Sequence, residues 1–91
     1  MALYGSIPIV MSHSVEAGSA GAFWFNPSET FVDVSKDNAG WSTHWMSESG
    51  VVDLMLLPGP TPKEVLRQFT QLVGTQDLPP MFALGYHQCR W

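Results

Sequence analysis

The chain has 91 residues, of which 45% are hydrophobic and 13% charged, and its formal net charge is −4. That size restricts it to one small domain or to part of a larger one. Four basic residues scattered at Lys36, Lys63, Arg67 and Arg90 exclude a basic surface for nucleic acid and a basic amphipathic face for membranes.

No apolar run nears the roughly 18 residues that a membrane-spanning helix needs. The opening Met-Ala-Leu-Tyr-Gly-Ser has neither the charged nor the apolar region of a signal peptide. Cys89 is the only cysteine, which excludes an internal disulfide. A small domain should be more polar than average, yet the charged fraction is about half that of a typical soluble domain. The composition thus implies apolar surface that is covered by further chain or by another copy.

In chain order, residues 7–13 (Ile-Pro-Ile-Val-Met-Ser-His) predict a strand, with Pro8 confining its start to an edge or a bulge. Residues 14–21 are small and read as a turn. Ala22-Phe-Trp-Phe25 favours β structure, Asn26-Pro-Ser28 reads as a turn, and Glu29-Thr-Phe-Val-Asp-Val34 alternates polar with apolar. Together these segments predict a hairpin of residues 22–25 with 29–34. After a polar connection over residues 35–40, Trp41-Ser-Thr-His-Trp-Met46 and Val51-Val-Asp-Leu-Met-Leu-Leu57 predict a second hairpin around Ser47-Glu-Ser-Gly50. Pro58-Gly-Pro60 ends the β portion.

Thr61-Pro-Lys-Glu64 opens a helix. Thr61 caps it, Pro62 takes the first helical position, and Glu64 completes a capping box. Val65, Leu66, Phe69, Leu72 and Val73 recur at helical spacing, and Gly74 ends the helix. Pro79 and Pro80 then introduce a short apolar run, residues 81–84, of the kind found in strands covered on both faces. Beyond Gly85 the chain turns polar and aromatic: Tyr86-His-Gln-Cys-Arg-Trp91. Such a strand end is where α/β enzymes place their sites.

The chemistry-bearing residues give no complete catalytic set. His13, His44 and His87 lack metal-ligand spacing and read as ordinary polar or half-buried side chains. His87 and Cys89 share a face on a strand, but a thiolate–imidazole pair also needs an orienting group and an oxyanion site. Glu29 with Asp33, or Glu48 with Asp53, could form an acid/base pair for glycoside hydrolysis; plain solvation is the simpler reading. Trp24, Trp41 and Trp45 read as packing residues, whereas Trp91 at a strand's carboxyl end suits either packing or stacking on a ligand.

Several stretches resemble the α-glucosidases of glycoside hydrolase family 31, and within it the glucosidase II catalytic-subunit and neutral α-glucosidase branch. They are Leu3-Tyr-Gly-Ser-Ile-Pro8, Phe23-Trp-Phe-Asn26 with Ser28-Glu-Thr30, His44-Trp-Met-Ser-Glu-Ser-Gly50, Gly59-Pro60, Gly74-Thr-Gln76 and Leu84-Gly-Tyr-His-Gln-Cys-Arg-Trp91. The resemblance implies a mainly β fold with one helix, in three parts. Residues 1–58 would end an N-terminal galactose-mutarotase-like β-sandwich, residues 59–78 would be a linker with a helix over 62–73, and residues 79–91 would be the first strand of a (β/α)₈ catalytic barrel.

The resemblance also implies a fragment of a retaining α-glucosidase that removes terminal α-linked glucose. Its substrate would be a glucosylated oligosaccharide or N-glycan in the endoplasmic reticulum lumen, with a non-catalytic β subunit as partner and no cofactor. It places Trp91 against the terminal glucose. The family's two catalytic aspartates, one within a Trp-x-Asp-Met-Asn-Glu motif, are absent from this chain, so the 91 residues alone are expected to be inactive. The residues also admit a non-catalytic β-sandwich module that binds carbohydrate or protein.

Overall fold

The structure, a computed structural model, describes residues 5–90. Strands β1 (Ile9–Ser14), β2 (Gly18–Trp24) and β5 (Leu54–Leu57) form one antiparallel sheet in the order β1-β2-β5. Strands β3 (Thr30–Asp37) and β4 (Gly40–Ser47) form a separate antiparallel hairpin, and helix α1 (Pro62–Val73) follows β5. Among the described residues the fold is thus mainly β with a single α-helix, as the sequence implies.

The pairing differs from expectation. Residues 22–25 belong to β2, which pairs with β1 and β5, and residues 29–34 contribute to β3, which pairs with β4. The small residues of 18–21 are strand, not turn, and the polar residues Ser35, Lys36 and Asp37 lie opposite Ser42, Trp41 and Gly40. The reason lies at Asn26, whose side-chain oxygen accepts from the Ser28 backbone N–H at 2.9 Å and so turns the chain out of the first sheet. The Phe25 N–H meanwhile donates to the Asp53 carbonyl at 2.8 Å, extending the β2–β5 pairing past Trp24.

Register places Ile9, Phe23 and Met55 in one cross-strand row and Met11, Gly21 and Leu57 in the next, all on one face of the sheet. Helix α1 lies against that face. Val65 is fully buried, and a Cβ on Gly21 would stand 2.7 Å from its Cγ1 methyl. Phe69 meets Phe23 edge to face at 5.0 Å between ring centroids. Phe23, Leu57 and Val65 form the core, with Ile9, Met55 and Phe69 packed around them. The rest of the helix's apolar stripe, Leu66, Leu72 and Val73, remains about half exposed.

A second constraint fixes the helix to the strand that precedes it. The Gln68 amide reaches back to Gly59, accepting from its N–H at 3.2 Å and donating to its carbonyl at 3.0 Å. Pro60 accepts from the Ser19 N–H at 2.8 Å. Gly59 is held at φ 78°, and a Cβ there would stand 2.1 Å from the Ser19 carbonyl oxygen, so only glycine fits. Thr61 caps α1 by accepting from the Glu64 N–H at 3.2 Å, and Gly74 ends it by donating to Thr70 at 2.8 Å. The other half of the expected capping box does not form. The Glu64 carboxylate turns instead to Arg67, 2.8 Å away, on the exposed side of the helix.

The hairpin is joined to the sheet through a buried polar hub. Asn26 Nδ2 donates to the carbonyls of Ser49 at 2.8 Å and Val51 at 3.2 Å, and the Ser28 hydroxyl, with one proton to give, lies 2.7 Å from Asn26 Oδ1 and 2.9 Å from the Ser49 carbonyl. Trp24 Nε1 donates to Ser47 Oγ at 2.9 Å, and the Trp24 and Trp45 rings stack at 6.0 Å. Every buried side-chain polar atom among the described residues has a partner.

The expected last strand is not one. Met81–Leu84 forms a short 3₁₀ turn, and residues 85–90 are exposed without regular structure. A strand needs a hydrogen-bonded neighbour along at least one edge, and none of the described strands pairs with this segment.

Three expectations follow from this packing. Gly59→Ala should free α1 from the sheet, costing roughly 2 kcal/mol or more and accelerating amide hydrogen exchange across α1 and β5. Asn26→Ala should cost roughly 1–3 kcal/mol, because it removes the hydrogen bonds that tie Ser28, Ser49 and Val51 together, and should accelerate exchange in β3 and β4 while sparing α1. Arg67 holds the Glu64 carboxyl below the usual carboxylate range, chiefly through their hydrogen bond. Its small contribution to helicity is therefore complete above that range and lost as pH falls through the lowered value; a circular-dichroism titration should show the loss disappear in Arg67→Gln.

Candidate functional site

The stretches 23–30 and 44–50, far apart in sequence, meet at the junction between sheet and hairpin. Besides the Asn26 hub, the Thr30 and Ser47 hydroxyls lie 2.7 Å apart and the Glu48 N–H donates to the Glu29 carbonyl at 3.1 Å. These are amide and hydroxyl contacts that hold backbone in place. They bring together no nucleophile and base.

Beside the junction lies an open cleft of about 780 Å³ between residues 5–9 and 26–32. Its rim carries Ile7 and Phe31, and its polar lining comprises Ser6, Asn26, Ser28, Glu29 and Thr30. Glu29 is its one carboxylate. A shallower groove shares Glu29, Thr30 and Phe31 with this cleft and is lined as well by Met46, Ser47 and Glu48.

Neither of the acid/base pairs suggested by sequence is assembled as paired. Glu29 shares its groove with Glu48, whereas Asp33 lies opposite His44 in the β3–β4 register and Asp53 stands just before β5. Glycoside hydrolysis needs two carboxyl groups flanking one bond, and the cleft supplies only Glu29.

The histidines are likewise dispersed. His13 Nδ1 lies 2.8 Å from the hydroxyl of buried Ser19, His44 sits on β4, and His87 is exposed in the terminal segment. No group of three metal-ligating side chains occurs among the described residues. His87 and Cys89 do not lie on a strand, so the shared face expected of them is not formed. Trp91, the residue expected to meet substrate, lies outside the described residues.

The tryptophans divide by environment. Trp24 and Trp45 stack on each other and are half-buried, and Trp45 Nε1 donates to Thr43 at 3.0 Å. Trp41 is 72% exposed, with the Lys36 ammonium 5.4 Å from its ring centroid. Reading Trp24 and Trp45 as packing residues is correct; for Trp41 it is not. Its position opposite Lys36 becomes visible only with the β3–β4 register.

Comparison with known proteins finds relatives for this chain. Residues 1–33 match the glycosyl hydrolase 31 N-terminal galactose mutarotase-like domain. Over its whole length the chain is 48% identical to neutral alpha-glucosidase AB of Dictyostelium discoideum and 43% identical to human neutral alpha-glucosidase C. It is 41% identical, over 98% of its length, to a probable glucan 1,3-alpha-glucosidase of Arabidopsis thaliana. The chain spans only 10–12% of the length of these relatives. The alignment to the Dictyostelium protein runs over 95 positions and that to the human protein over 110, so the relatives differ in how many residues they insert relative to this chain. Residues 1–33 thus match part of the glycosyl hydrolase 31 N-terminal galactose mutarotase-like domain, and the chain along its length is similar to one segment of these α-glucosidases.

Proposed function

We propose that the chain is part of a retaining α-glucosidase that removes terminal α-linked glucose, with N-glycans in the endoplasmic reticulum lumen as substrate and a non-catalytic β subunit as partner. The observation that carries this reading is end-to-end identity of 41–48% with proteins named as α-glucosidases. The site lies elsewhere in such an enzyme. Among the described residues neither carboxylate pair expected from the sequence, Glu29 with Asp33 or Glu48 with Asp53, is assembled, and the sequence lacks the family's Trp-x-Asp-Met-Asn-Glu motif.

In this reading residues 1–58 complete a β-sandwich, residues 59–78 link it to the catalytic barrel, and residues 79–91 become the first barrel strand once neighbouring strands pair with them. The exposed apolar side chains of Leu78, Met81, Phe82 and Leu84 support that assignment, because a barrel strand is covered on both faces. Trp91 would then present its indole to the terminal glucose.

Exposed Trp41, held by Lys36, favours a second reading in which this segment binds glucosides weakly without catalysis. Tryptophan fluorescence that shifts on addition of maltose or nigerose in the unchanged chain, but not in Trp41→Ala, would support it.

Transcript sequence beyond the Trp91 codon is the direct test of the first reading. An open frame running through a Trp-x-Asp-Met-Asn-Glu segment is expected, and a stop directly after Trp91 would overturn it. The 91 residues alone should release no glucose from an aryl α-glucoside. In the longer enzyme, Trp91→Ala should lower kcat/KM by roughly tenfold or more, the loss expected when a stacked aromatic contact worth about 1–2 kcal/mol is removed, and Trp91→Tyr should restore part of it.

A further inference from the structure

We draw no further inference here: the strongest candidate, the exposed apolar patch of Leu54 and Leu56 on the face of the β1-β2-β5 sheet opposite α1, is an unpartnered apolar face, and nothing in the structure shows what covers it.

Discussion

The reciprocal hydrogen bonding between the Gln68 amide and Gly59 is the contact on which the rest of the arrangement depends. Two bonds between one side chain and one residue's backbone fix both the distance and the rotation of α1 relative to the end of β5. With that rotation set, Val65 falls over Gly21 and Phe69 over Phe23. Each glycine is required by what approaches it. At Gly21 it is a methyl group of the helix, and at Gly59 it is the carbonyl of Ser19. The core is small, but it is assembled by close backbone approach as well as by apolar area.

The second fixed point is polar. Asn26 uses both ends of its amide, donating twice and accepting from Ser28. A buried amide satisfied in this way specifies geometry, since few other side chains offer donors and an acceptor in that arrangement. It accounts for the family-like stretches 23–30 and 44–50: they carry the joint between sheet and hairpin. In this structure the contacts they make are structural: amide and hydroxyl groups that hold backbone in place.

Much of this was legible in the sequence. The helix was readable at both ends, because Thr61, Pro62 and Gly74 act locally through capping geometry. Strand segments were recognisable from β-branched and aromatic residues, but strand partners were not. Choosing between β2–β3 and β1–β2 pairing depends on where the Asn26 side chain bonds, which involves residues 49 and 51. Ser35, Lys36 and Asp37 look like loop because the apolar alternation of β3 stops at Val34 and the end of that strand is exposed and polar on both faces. The capping box failed at Glu64 because Arg67, one turn on, competes for the same carboxylate. At the far end, residues 81–84 carry the apolar signature of a strand but have no described partner to pair with, and an apolar run alone makes no ladder hydrogen bonds.

The β3–β4 hairpin leaves the first sheet at Asn26 and rejoins it near Val51, and its two ends are fastened to each other by the hub. Its tip is closed by the Asp37–Gly40 end of the ladder and by the Asp37 carboxylate, which accepts from the N–H groups of Ala39 and Gly40, and a Cβ on Gly40 would meet nothing within 4 Å. Loop closure becomes only slowly more costly with length. A loop anchored at its base and open at its end can therefore gain or lose residues over evolution without altering the sheet that supports it, which makes this tip the part of the segment most able to diversify between relatives.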